Sequence, residues 1–524
     1  MILDTWVIIM NDKDTFTNYI INNFPNIIPI LSNNFPFKFP KVKYVPSKAK
    51  SNITIYNSII KVYLNLNDFI NKLRSKSEYL HVTKTDVIII GYTGKIVNNP
   101  KGIPIGDYSN YFIKDFLNRN DIKTKELLIF NLKDISRIIN ILNMQKYLKH
   151  NNSDLLFLLK YQTPKKIDLD NLKNICTKCI ENKLYEYIYS DLEYSVIPKE
   201  DLKKRISNLE KYIKFITSNT FVSYVLSLAH SIKYYLEMSS PKILIINSIS
   251  GLVDRLCVYV AKYLGIKIIF LPHGIGENLS SSNFINYFKI NPIPIDVYIN
   301  PTYDKKNITI KFKNIEICNY GVAIYGHTID NYFNEISLPK DNRKLTVLYA
   351  TQPWVRDGII EKRKYIEFLY KFFNILKQID CDIIIKFHPR DNDNIYKNIL
   401  KKLNIKNVEY SYKAPPFFIE DIKKSDVLLT HISGICYESI LAGTPVISII
   451  PHELEKYYYP YESIEVPKFT ENNLNKLKNF LKQKYVDKSL NNLLEIEQKK
   501  VKPKILGDDS LNLFLFKIKS LLEK

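Results

Sequence analysis

Glycine, arginine and cysteine are all scarce in this 524-residue chain, and no run of apolar residues is long enough to cross a bilayer. The 14 glycines are under half of the roughly 7% average usage, which excludes Gly-rich repeats and makes each glycine informative. Only nine of the 75 basic residues are arginine, so a planar, permanently charged fork is placed sparingly. Six scattered cysteines are too few for a disulfide scaffold at this length. The one CxxC, Cys176 and Cys179, has no second pair or histidines at zinc spacing and reads as two half-buried helix positions. Met1–Met10 has no basic leader and carries an early Asp4, so it reads as a first strand rather than a signal peptide. The longest apolar stretch, Ser425–Ile450, is interrupted by Asp426, His431 and Glu438. A soluble cytoplasmic protein is expected, with contact to an anionic membrane surface permitted by charge.

Hydrophobic residues make up 46% of the chain and charged residues 24%, a globular composition for about two to four domains. The net charge of +22 comes mostly from scattered lysines, alongside over-used Ile and Asn, as an AT-rich coding bias would give. That charge fits a basic nucleic-acid-binding protein electrostatically, but the lysines are scattered and no helix-turn-helix, RRM or zinc-finger pattern is present, so this is the lesser alternative and no specific nucleic acid is expected as a partner.

Short β-branched runs alternate with longer helical patterns, and several runs are apolar throughout, as strands buried on both faces of a parallel sheet are. The expected class is α/β, with two Rossmann-like doubly wound domains facing across a cleft and helical insertions in the first. The expected boundaries are an acceptor-side domain over 1–335 with an insertion over about 140–237, and a donor-binding domain over 340–465. A helical tail over 470–524 would pack back across the domains.

Three motifs stand at predicted strand ends. In Ser425–Ile449 a buried strand ends at Thr430, and His431, Ile432, Ser433 and Gly434 turn into a helix that Gly443 stops. Free N–H groups at such a helix start suit a diphosphate, and Ser433 adds a hydroxyl. Glu438, one turn in, has two oxygens for a ribose diol. In Asp382–Arg390, Pro389 stops a buried strand and sends His388 and Arg390 toward phosphate oxygens. In the first half, Pro272–Glu277 (PHGIGE) follows a strand, Gly274 and Gly276 permit a close backbone approach, and His273 suits a general base. Gln352 and Arg356, in the loop Thr351–Gly358 with Trp354, are candidates for contacts to base, sugar or phosphate. Gly91–Gly106 lacks the P-loop spacing and is the milder candidate for an acceptor-side loop.

Together these segments resemble GT-B-fold glycosyltransferases, above all the capsule polysaccharide and CDP-glycerol glycerophosphotransferase-type polymer enzymes, over about 243–277 and 345–450. The resemblance implies that His388, Ser433 and Gly434 hold donor phosphates and Glu438 binds ribose, and that His273 or Glu277 serves as the acceptor-side base. His431 and Gly434 depart from the family pattern. The implied function is metal-independent transfer of a sugar from a UDP- or CMP/CDP-linked donor to a glycan, lipid-linked or protein hydroxyl, in glycan or surface-polysaccharide synthesis. The alternatives are glycerol-phosphate transfer on the same fold and a UDP-sugar 2-epimerase. The epimerase calls for more cleft carboxylates than the sequence offers.

Overall fold

The computed structural model describes residues 13–27, 82–92, 97–98, 104–105, 108–129, 153–156, 169–178, 213–249, 251–272, 293–300, 315–318, 344–356, 360–388, 391–413, 418–431, 433–457, 466–486, 490–505 and 510–523. The first unit contains α1 (Lys13–Asn22), β1 (Val87–Tyr92), α2 (Tyr108–Arg119), β2 (Thr124–Ile129), β3 (Asp154–Leu155) and α3 (Asn219–Ser239). It continues with β4 (Ile243–Ile246), α4 (Leu252–Tyr263), β5 (Lys267–Phe270), β6 (Val297–Ile299) and β7 (Glu316–Cys318). Its seven strands are parallel and run in the order β3-β2-β1-β4-β5-β6-β7.

The second unit contains β8 (Thr346–Ala350), α5 (Lys362–Lys377), β9 (Asp382–Lys386), α6 (Asp393–Lys402), β10 (Val408–Ser411) and α7 (Ile419–Lys424). It ends with β11 (Val427–Thr430), α8 (Ile435–Leu441), β12 (Val446–Ile450) and β13 (Lys468–Thr470). This sheet too is parallel throughout, in the order β10-β9-β8-β11-β12-β13. Both orders reverse direction once, next to the first strand, which is the doubly wound pattern. The protein therefore has two Rossmann-like α/β units of the GT-B type, as the alternation of apolar runs and helices predicts.

The apolar runs work because each strand buries both faces. In the first sheet Val87, Ile89, Ile243, Ile245 and Ile269 join one core, while Ile88, Ile90, Leu244, Ile246 and Ile268 join the other with α3 and α4. Each such side chain contributes roughly 1.5–3 kcal/mol of transfer free energy. Gly265 and Gly443 end α4 and α8 at φ of 72° and 91°, a conformation that costs other residues strain.

The tail forms α9 (Leu477–Val486), α10 (Leu490–Ile505) and α11 (Ser510–Leu522). Phe514, Ile518 and Leu521 of α11 are buried in the cluster that holds one face of the first sheet and the second-sheet core. Lys517 of α11 pairs with Glu316 of β7, and Lys242 donates to the Leu522 carbonyl. On the other side, Gln498 of α10 donates to the Ile440 carbonyl of α8 at 2.9 Å.

Some expectations fall elsewhere. The strand expected within Met1–Met10 and the domain boundary expected at 335–340 lie outside the described residues. Within 140–237 the long helix α3 and a helical stretch over 169–178 are present, with Cys176 buried in the core. That segment also supplies β3, an edge strand too short to show a period. Strands β7 and β13 are three residues each and were not expected for the same reason.

Candidate active site at the second switch point

The strand order of the second sheet reverses between β8 and β11, and ligands of open α/β sheets bind outside the carboxyl ends at such a point. β8 runs out into Thr351 and Gln352, and β11 into His431 and Ser433. The two exits are tied together: the Thr430 hydroxyl donates to the Ala350 carbonyl at 3.0 Å, and Gln352 Nε2 donates to Ser433 Oγ at 2.8 Å. Gln352 and Ser433 are both half-buried, so the bond lies at the rim rather than in the core. Gly434 is exposed, and a Cβ built on it would meet nothing within 4 Å. Its φ of −60° is ordinary, so its use here is to leave the backbone bare, not to permit a special conformation.

The helix that follows, α8, has only seven residues, so its dipole is weaker than the sequence motif promises. What distinguishes the site is a pair of opposite charges. Glu438, in the first turn of α8, is half-buried, and burial pushes its carboxyl up to about 7, although the Lys386 charge pulls the other way. Lys386 closes β9, also half-buried. Burial lowers its pKa against the raising pull of Glu438 and then Asp421. The two feel each other without forming an ion pair, and Lys386 Nζ instead lies 5.0 Å from the Phe418 ring centroid. Asp421 is already satisfied by Lys413 at 2.7 Å and by the Ser411 hydroxyl.

His388, two residues past Lys386, is half-buried, and its backbone N–H donates to Thr351 Oγ1 at 3.1 Å. This bond brings the β9 exit beside the β8 exit. Gln352, His388, Ser433, Gly434 and Glu438 therefore share one edge of one sheet, with Lys386 among them. Arg356 is exposed on the loop beyond Gln352, and Trp354 packs against the second core. Arg390, His273, Gly274, Gly276 and Glu277 lie outside the described residues.

His431 is a correction. The sequence places it with the donor-binding residues, yet its side chain is 0% exposed and both ring nitrogens are engaged within the fold, so neither is left for a phosphate. Burial pulls its imidazole down to about 4, so it is neutral at pH 7. Arg255, a scarce arginine near a motif, is also buried, and its Nε donates to the Ile249 carbonyl at 3.0 Å, pinning the turn into α4.

The first sheet has its own switch point, between β1 and β4, and there the structure gathers groups that sequence reasoning missed. Glu126 of β2 accepts from Asn110 Nδ2 at 2.9 Å and from the Ser153 hydroxyl at 3.3 Å. Lys114 donates to Ser153 at 3.2 Å, and Asn247 donates to Asn110. All five are buried. Gly91 leaves room for this carboxyl: a Cβ on it would come within 2.3 Å of Glu126 Oε1, so the buried Glu126 side chain would have to shift. The sequence carries little signal for this cluster, because Glu126 follows Thr124 and Lys125 in TKELLI and reads as part of a polar strand start.

Among the described residues no group of three or more His, Cys, Asp and Glu side chains gathers as metal ligands, and no helix is long and apolar enough to cross a membrane.

No family model matches the chain, and no curated protein matches it. Solved structures match most of it at low identity. A UDP-GlcNAc 2-epimerase from Neisseria meningitidis bound to UDP-GlcNAc is 13% identical, covering 84% of this chain and 100% of its own at a TM-score of 0.47. A glycosyltransferase from Rickettsia africae is 12% identical over 84% of this chain and 99% of its own, with a TM-score of 0.44. MurG of Acinetobacter baumannii is 9% identical over 83% and 99%, with a TM-score of 0.44. At these identities and TM-scores the likeness transfers neither a reaction nor a residue role.

Proposed function

We propose that the protein is an enzyme acting on a nucleotide-activated sugar bound at the carboxyl edge of the second sheet. The observation that carries this reading is the half-buried Glu438 carboxyl held near Lys386 without pairing to it, at the switch point that Gln352 and Ser433 bridge. A buried charge without a partner is costly, and such pairs persist where a ligand completes them. A ribose supplies two hydroxyl donors to the two oxygens of Glu438. The diphosphate takes the Ser433 hydroxyl, the bare backbone at Gly434 and the positive charges of Lys386 and Arg390, with His388 beside them. Developing charge on the departing diphosphate is then met by fixed donors.

In the transfer reading, an acceptor hydroxyl gives its proton to His273 or Glu277 while its oxygen bonds to the sugar's anomeric carbon. The bond from that carbon to the phosphate oxygen breaks, and its electron pair leaves with the nucleoside diphosphate. The acceptor is a glycan, lipid-linked or protein hydroxyl. A second reading, 2-epimerisation, draws on one observation: a carboxyl poised near 7 is suited to exchanging protons at neutral pH. Glycerol-phosphate transfer would use the same edge with a CDP-linked donor.

The test is incubation with UDP-, GDP-, CMP- and CDP-linked compounds, with and without hydroxyl acceptors, followed by chromatography of the products. Transfer releases free nucleotide only with acceptor present, and epimerisation changes the sugar with none. No turnover and no binding of any compound would refute the assignment.

A further inference from the structure

A chain of hydrogen bonds crosses the interior of the second unit and ends at the motif turn after β9. It starts at the Ile449 carbonyl of β12, which accepts from His431 Nδ1, so the proton sits on that nitrogen. His431 Nε2 lies 2.9 Å from the Tyr349 hydroxyl of β8 and 3.0 Å from the Tyr365 hydroxyl of α5. Tyr365 lies 3.0 Å from the Tyr396 hydroxyl of α6, and Tyr396 donates to Asp391 Oδ2 at 2.6 Å. Tyr349, Tyr365, Tyr396 and His431 are each 0% exposed, amid Phe368, Phe372 and Phe387.

The four protons cannot cover all five contacts. Tyr396 donates to Asp391 and Tyr365 to Tyr396, while Tyr349, which also bonds Tyr365, shares its proton between the bare Nε2 of a neutral His431 and the Tyr365 oxygen, so the two halves join through Tyr349 and the Tyr365–Nε2 approach carries no proton of its own. Apolar residues would fill this volume at less risk, since a buried polar network tolerates no missing partner. The network's two ends explain its presence. Asp391 follows Arg390 directly, and its backbone N–H donates to the His388 carbonyl at 2.9 Å, closing the His388–Asp391 turn. His431 opens the turn that carries Ser433 and Gly434.

We propose that His431, Tyr349, Tyr365 and Tyr396 are positioning residues, a buried relay that locks the His388–Asp391 turn to the Ser433–Gly434 turn so that both present to one ligand. The locking itself stands on the hydrogen bonds; its use in ligand binding rests on the nucleotide-sugar reading above.

Two arms test it with Tyr396→Phe. In ligand-free protein, amide hydrogen exchange across the peptide covering 388–391 should quicken about 10-fold, while amides of β8 and β11 stay protected. For ligand binding, a double-mutant cycle with His388→Ala is read by calorimetry with whichever nucleotide sugar binds the wild type. Tyr396→Phe alone should weaken it about 5-fold, and adding it to His388→Ala should weaken it no further. If Tyr396→Phe lowers the yield, Asp391→Ala at the half-buried end should give the same pattern. Unchanged exchange at 388–391 overturns the relay, and so does a binding loss fully additive with His388→Ala. Quickened exchange in a protein that binds no nucleotide sugar upholds the lock and sinks the ligand reading instead.

Discussion

If Glu438 holds ribose hydroxyls, it must be ionised to accept from both, and burial pushes its carboxyl up to about 7. A ligand that binds one protonation state has its affinity reduced by the fraction of protein in that state. With the carboxyl at 7, about one tenth of Glu438 is ionised at pH 6, half at pH 7 and nine tenths at pH 8. Nucleotide-sugar affinity should therefore rise about 8- to 10-fold between pH 6 and pH 8, with most of the change near neutrality. The diphosphate diester of such a ligand does not titrate in this range, so the slope belongs to the protein. Calorimetry in buffers of different ionisation enthalpy should also show a proton released on binding. Glu438→Gln should bind weakly at every pH with no such slope. Removing the Lys386 charge by Lys386→Met frees the carboxyl to rise further, so the midpoint should move to higher pH. A flat affinity between pH 6 and 8 in the wild type, with tight binding, would refute the reasoning.

Glu497 of α10 is buried, accepts from the Val446 N–H at 3.1 Å, and is pushed by burial up to about 8. Its folded pKa exceeds the unfolded value, so this contribution to stability is present in acid and lost as pH rises through 8. The melting temperature should fall between pH 5 and 8.5, and Glu497→Gln should flatten that fall. Ile518→Ala, in the buried face of α11, should cost about 2–5 kcal/mol in denaturant unfolding, whereas Phe516→Ala, 71% exposed, should be near neutral.

The fold was legible in the sequence wherever burial on both faces wrote unbroken apolar runs. β8, β9, β11 and β12 lie within two residues of where LTVLYA, DIIIKF, DVLLT and PVISI place them. It was not legible in β3, β7 and β13, because two or three residues at a sheet edge carry neither a period nor a composition. The same divide runs through the site. Ser433, Gly434 and Glu438 announce themselves by local spacing around one turn. His431 has the same local credentials, yet its role is set by Tyr349, Tyr365 and Ile449, which come from three separate elements. Its position in the chain does not disclose which way its ring turns. Lys386 likewise reads as one lysine of many until the fold half-buries it near Glu438.

The central claim is that a nucleotide sugar binds at the second switch point through Glu438. A thermal-shift panel of UDP-, GDP-, CMP- and CDP-linked compounds, run on wild type and on Glu438→Ala, tests it most directly, because a ligand of the native state adds about 2.7 kcal/mol at 100 times its Kd. The account predicts that at least one of them raises the wild-type melting temperature and that the rise disappears in Glu438→Ala. A panel that shifts neither protein, or shifts both equally, would contradict it.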